Sequence, residues 1–175
     1  QPLRVCLLSS EVVPFAKTGG LADVAAPLAR QLHKLKHDVR LVMPFYKRLR
    51  GQADFQPLPE LQDVPIRCGE RTYWFSISTA KLPKSGLKVW FVRCPELYER
   101  DGIYTQDPDE PLRFSVLTRA ALESCQWTKW APDVVHANDW HTALAPLYLR
   151  TIYAWDKLFA DTRTVLTIHN IGYQG

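Results

Sequence analysis

No stretch of about 18 apolar residues occurs in the 175-residue sequence, so no segment is long and apolar enough to span a membrane as a helix. The amino terminus also lacks a basic segment followed by a long apolar one. Its first apolar run, Val5 to Leu8, is cut short by Ser9, Ser10 and Glu11, and no secretory signal is visible. Cys6, Cys68, Cys94 and Cys125 include no CxxC pair, which removes the spacing that thiolate metal centres use. Three of them fall in strand-like runs and Cys125 in a helical one, as buried free thiols of a reducing compartment do. Neither sign of charge dominates. The 22 basic and 18 acidic residues leave a net charge of +4, and the basic ones are scattered apart from Lys47, Arg48 and Arg50, with Lys34 and Lys36 upstream. That pattern gives no nucleic-acid footprint. GxGxxG, a Walker A sequence, internal repeats and low-complexity tracts are absent as well. A nicotinamide-binding protein would further want an acidic residue ending its second strand, where Pro44, Phe45 and Tyr46 stand.

What is present is an alternation of strand and helix patterns. Leu3 to Ser10 is almost continuously apolar, as in a strand covered on both faces of a parallel sheet. Leu21, Val24, Ala25, Leu28, Leu32 and Leu35 then form one apolar stripe on a helix of about four turns, interrupted by Pro27, which kinks the helix or delays its start. Asp38 to Phe45 is a second strand, completing a βαβ unit. Residues 47–70 are polar and proline-punctuated and read as a long connection. Residues 71–78 and 87–94 are strands that form a hairpin or lie as neighbours, and 96–110 is an irregular loop holding Tyr98 and Tyr104. A helix over 111–127, a strand over 133–140, a helix over 141–155 and a strand over 162–170 complete the chain. The order predicts one domain of the α/β class, a Rossmann-like open parallel sheet with flanking helices.

Ligands of such sheets bind beyond the carboxyl ends of the strands. Three strands here end in polar groups: one at Ser9, Ser10 and Glu11, leading to Lys17, Gly19 and Gly20; one at His136, Asn138, Asp139 and His141; and one at His169 and Asn170. If the strands are neighbours, these groups line one crevice. The lysine and paired glycines at a strand-to-helix handover suit an anion, because backbone N–H groups can approach it and the helix terminus carries partial positive charge. A tight turn beside a solvated lysine explains the same residues. Asp23 in the first helical turn has an ordinary stabilising role there. Asn138 or Asp139 suits a helix cap. The spacing of five between His136 and His141 is poor for a metal on one helical face. His169, at a strand end before Asn170, suits contact with sugar hydroxyls or a structural hydrogen bond.

Three motifs, "KTGGLADV" at 17–24, "PDVVHANDWHTALAPLYL" at 132–149 and "TVLTIHNIGYQG" at 164–175, together resemble bacterial glycogen synthase and plant starch synthase, glycosyltransferase family 5. "ELYERDGIYTQD" resembles the family's loop between the first two. The resemblance covers essentially the whole chain but only part of the family's enzyme. It implies the GT-B architecture, with residues 1–175 as an incomplete N-terminal, acceptor-side domain and the C-terminal nucleotide-sugar domain absent. It also implies retaining transfer of glucose from ADP-glucose to the non-reducing end of an α-1,4-glucan, glycogen or starch, with no cofactor and no metal. Cytoplasmic placement follows, or plastid placement in a plant.

Carried over by motif, Lys17, Gly19 and Gly20 would face the donor phosphates, supported by Asn170. Asp23 and Asp139 would lie near the reacting sugars, His169 would bond the donor glucose, and Tyr104 would meet the acceptor glucan. Asn138 stands where the family usually has a histidine, which leaves that side chain's role open. The fragment alone is expected to be inactive. The alternative from another class is a non-catalytic carbohydrate-binding or regulatory module derived from such an enzyme.

Overall fold

A computed structural model describes residues 1–175. The first strand, β1 (Arg4–Leu8), is buried from Val5 onward. The chain then turns through residues 9–19 into α1 (Gly20–Lys34) and returns as β2 (Asp38–Pro44), parallel to β1 with Arg4 opposite Asp38. The predicted βαβ unit therefore forms. Its buried face overlaps the expected stripe and is turned toward the alanines: Leu21, Ala22, Ala25, Ala26 and Ala29 are buried, whereas Val24 and Leu35 are exposed. Alanines bring the helix axis close to the sheet, and Leu28 and Leu32 close the flank against the core. Helix α1 begins seven residues before Pro27, so the proline does not start it, and the ring lies on the exposed side.

The connection expected over 47–70 is more ordered than its composition suggests. It holds a short 3₁₀ turn at Lys47–Leu49 and two strands, β3 (Gln56–Pro57) and β4 (Val64–Cys68). In β4 the alternation is genuine, with Val64 and Ile66 buried and Pro65 and Arg67 exposed, but Pro65 hides it in the sequence. Next come β5 (Arg71–Lys81), three residues longer than expected, and β6 (Lys88–Arg93), which form an antiparallel hairpin. The short helix α2 (Pro95–Tyr98) opens the loop that carries Tyr104, and α3 (Glu110–Trp127) follows. The strand expected over 133–140 is β7 (Val134–Asn138). It stops because Asp139 takes a left-handed conformation, φ 60°, that no strand continues through. The helix expected over 141–155 is two short pieces, α4 (Asp139–Thr142) and α5 (Ala145–Arg150). Pro146 has no N–H for a bond back to residue 142, which parts them. The last strand, β8 (Arg163–Thr167), ends two residues before His169.

The sheet order is β3-β5-β6-β2-β1-β7-β8, with β4 pairing β5. From β6 to β8 every pairing is parallel; the additions beyond β6 are antiparallel. The open parallel sheet expected is thus the central part of a mixed one. Phe15, Phe45, Phe55 and Phe91 pack edge-to-face at one flank, with closest ring centroids 4.9–5.0 Å apart. Cys6, Cys94 and Cys125 are buried, Cys68 is half-buried, and all four are free thiols. No helix is long and apolar enough to cross a membrane.

Candidate active site

In the sheet β1, β7 and β8 are consecutive neighbours, so the three polar strand ends meet. They form one wall of a cleft of about 580 Å³ that the loop carrying Tyr104 closes on the other side. The cleft brings together six of the eight residues singled out in the sequence: Gly19, Gly20, Tyr104, Asp139, His169 and Asn170. Lys17 and Asp23 do not line it. They pair with each other, Lys17 Nζ to Asp23 Oδ2 at 2.6 Å, both about half exposed at the rim.

Gly19 precedes the first residue of α1 in extended backbone, φ −151°. Neither Gly19 nor Gly20 has the positive φ that favours glycine, and a Cβ built on either meets nothing within 4 Å. A tight turn therefore does not require these glycines, and protein packing does not either. What their missing side chains leave bare is the floor of the cleft at the amino end of a four-turn helix. Glu11 already accepts from two of the N–H groups there, Thr18 and Gly19, the latter at 3.3 Å. The N–H groups of the first turn of α1, from Gly20 onward, are the ones an intrahelical bond never reaches.

Glu11 is a site residue that the sequence marked only as a strand end. It is buried, and its other oxygen accepts from the Tyr104 hydroxyl at 2.8 Å. A phenol has one proton to give, so Ser10 Oγ, 2.7 Å from the Tyr104 oxygen, is the donor in that contact. Burial pushes the Tyr104 phenol well above its usual range, which keeps the proton on it. The Tyr104 ring stacks on His141, centroids 4.8 Å apart and planes 21° apart.

Tyr104 is held from behind by an ion pair. Arg113 is fully buried on α3. It pairs with Glu110 and donates to the Leu97 carbonyl at 2.6 Å and the Ile103 carbonyl at 3.0 Å. Glu110 in turn accepts from the Thr105 N–H. One guanidinium and one carboxylate thus clamp residues on both sides of Tyr104. Nothing in the sequence separated Arg113 from an ordinary helix-surface arginine.

At the β7 end Asn138 is buried, and its side chain caps no helix. Its Nδ2 donates to the Leu8 carbonyl at 3.0 Å, which bridges β7 to β1. That bond fixes the amide, because a carbonyl only accepts, and it turns Oδ1 toward His169 Nε2 at 2.9 Å. His169 Nε2 must then carry a proton, so Nδ1 is the ring nitrogen left for another partner. The His169 backbone N–H points to Asp139 Oδ1 at 3.3 Å. Asp139 pays for its position with left-handed backbone, a strain that concentrates at functional sites.

His136 and His141 sit apart in character. His136 Nε2 pairs with Thr167 Oγ1 across β7 and β8 at 2.7 Å, and burial followed by the nearby His169 lowers its pKa. His141 lines the cleft. Burial, with Arg113 adding to it, pushes its pKa down to about 3, so its ring is neutral at ordinary pH. Its Nδ1 is buried with no hydrogen-bond partner in the protein. No group of three or more His, Cys, Asp or Glu side chains is arranged to hold a metal ion.

The starch synthase catalytic domain family matches residues 4–175. The chain belongs to that family. Among curated relatives, it is 41% identical to the glycogen synthase of Syntrophotalea carbinolica and 40% identical to glycogen synthase 1 of Geobacter sulfurreducens. Each alignment covers 99% of this chain and 36% or 35% of the relative. Among solved structures, the catalytic domain of starch synthase IV from Arabidopsis thaliana, bound to ADP and acarbose, superposes with a TM-score of 0.87 at 30% identity. That match covers 99% of this chain and 35% of the other. The chain spans about a third of the length of these starch and glycogen synthase relatives.

Proposed function

We propose that this chain is the N-terminal, acceptor-side part of a retaining glucosyltransferase. The whole enzyme moves glucose from ADP-glucose to the non-reducing end of an α-1,4-glucan, glycogen or starch. The observation that carries the reading is the bare helix start at Gly19 and Gly20 opening onto the same cleft as His169, Asp139 and Tyr104. A starch synthase relative that holds ADP and acarbose supports both ligand classes.

Retaining transfer asks the protein to stabilise a departing diphosphate and an oxocarbenium-like sugar, and both tasks are electrostatic. The N–H groups of the first turn of α1 serve the diphosphate, with the helix dipole behind them. Lys17 joins them by exchanging Asp23 for a phosphate oxygen, an easy exchange for an exposed pair. His169 Nδ1 accepts from a hydroxyl of the donor glucose while its backbone carbonyl faces the anomeric carbon. Asn170 supports that turn through its own bond to the Gly172 N–H, 2.9 Å. Asp139 orients His169 through the backbone, and Tyr104 offers the acceptor an aromatic edge whose hydroxyl is already anchored by Glu11. The rest of the donor site belongs to sequence that these 175 residues do not include, so the chain by itself transfers no glucose.

The test is transfer of radiolabelled glucose into glycogen by the intact enzyme, with ADP-glucose and UDP-glucose as rival donors. ADP-glucose-dependent labelling that falls about tenfold in Lys17→Gln is the expected result, the charge-assisted contact being worth roughly 1.5–3 kcal/mol. Binding of glucan without transfer from either donor would replace the enzyme by a carbohydrate-binding module.

A further inference from the structure

The parallel strands β1, β2, β6 and β7 aim their carboxyl ends at the cleft side, so their amino ends gather at the opposite end of the sheet. For strands of this length the two ends are about 20 Å apart. There the starts of β2 and β6, the last turn of α1 and the segment after α3 enclose a second cavity, of about 570 Å³. We propose that this cavity is a binding site for a small polyvalent oxyanion of the phosphate class. Nothing in the proposal depends on the transferase reading.

The charge is one-sided. Lys36, Arg40 and Lys88 line the cavity together with the imidazoles of His33 and His37, against one carboxylate, Asp38. None of the three cations is within ion-pair distance of an acidic group. Asp38 is itself engaged, accepting from Trp130 Nε1 at 2.8 Å.

Arg40 makes this more than a solvated basic face. Its guanidinium carbon lies 4.3 Å from the centre of the Trp90 ring and 4.1 Å from that of Trp130, and its Nη1 donates to Thr128 Oγ1 at 2.7 Å. Two aromatic faces and a hydroxyl therefore fix the plane of the fork. Its Nε and Nη2 groups donate to no protein atom and are not fully buried. A guanidinium ordered in advance loses little freedom when it takes an oxyanion in two-point contact. His37 contributes a donor of known direction. Its Nδ1 accepts from the Leu3 N–H at 3.0 Å, which leaves the ring proton on Nε2.

Calorimetry and thermal melts of the intact protein test the proposal, with inorganic phosphate and a hexose monophosphate as probes and sodium chloride at matched ionic strength as the control. The background carries Lys17→Gln, which weakens an anion in the cleft about tenfold, and the lysine changes below tell the two places apart. One saturable site per chain is expected. At ten times the dissociation constant it raises Tm by about 1–2 °C. Lys36→Gln with Lys88→Gln, both exposed and neutral to folding, should weaken binding at least tenfold, as should Arg40→Gln if it folds. Tighter binding of the hexose monophosphate than of phosphate assigns the site to a phosphorylated metabolite; equal binding assigns it to free phosphate. A response no larger than that to chloride, a response untouched by the lysine changes, or saturable binding of a polyanion such as heparin alone would overturn the proposal.

Discussion

Asn138 shows how much a single side chain can settle. It ties β7 to β1 through the Leu8 carbonyl and sets the tautomer of His169. Asn138→Ala leaves a buried carbonyl and an imidazole N–H without partners, a loss of about 1–3 kcal/mol. Urea denaturation of the intact protein should show that loss, and kcat should fall with it because His169 is no longer held. Unchanged stability and kcat would mean that the bridge is incidental. His141 gives a pH signature. Its pKa drops from 6.5 in the unfolded chain to about 3 in the fold, so between those values the unfolded chain binds the extra proton. Its contribution is complete above pH 6.5 and lost progressively toward pH 3, by at most about 1.4 kcal/mol per pH unit. The urea midpoint should therefore fall between pH 6.5 and 4.5, and His141→Phe should flatten that fall. An equal slope in both proteins would assign the acid sensitivity to other groups. At this scale the sequence was legible where residue type implies chemistry, as with His169 and Tyr104. It marked Glu11 only as a strand end and was silent on Glu110, because the two act through partners seven to 93 positions away or through a buried arginine.

The elements were legible in proportion to their regularity. Strands β1, β2 and β6 announce themselves as apolar runs because the parallel sheet covers both their faces. Helix α1 was found with its face turned part-way: Leu21 and Ala25 of the expected stripe pack, Leu28 and Leu32 flank the alanines, and Val24 and Leu35 are exposed. Pro65 concealed β4, and Pro146 cut a helix that periodicity alone would have continued. The loop holding Tyr104 owes its shape to α3, through Arg113 and Glu110, as well as to its own Arg100, which pairs with Asp107 and Asp109. Arg113→Met strands the Glu110 carboxylate in the interior, and breaking a buried pair in this way costs about 3–5 kcal/mol. Adding Glu110→Gln should recover part of that loss. Thermal melts of the single and double variants measure both, and a single variant as stable as the parent would show that the clamp is dispensable.

Across the whole molecule, the sheet separates two faces of opposite use. Its carboxyl end carries the cleft, with the neutral His141 ring, carboxylates and a bare helix start; its amino end carries unpaired cations around Arg40. The strand order that creates this division was not readable from the sequence, which showed three polar strand ends but not that β1, β7 and β8 are neighbours. The bare start of α1 is proposed to receive the donor diphosphate. It is tested most directly by steady-state kinetics of the intact enzyme carrying Gly20→Ala, with ADP-glucose varied at saturating glycogen. Because a Cβ at Gly20 meets no protein atom and alanine favours a helix, Tm should hold or rise slightly. The methyl group instead occupies the place of a phosphate, so the KM for ADP-glucose should rise tenfold or more and kcat should fall with it. Parent-like kinetics in a normally folded Gly20→Ala enzyme would put the diphosphate elsewhere.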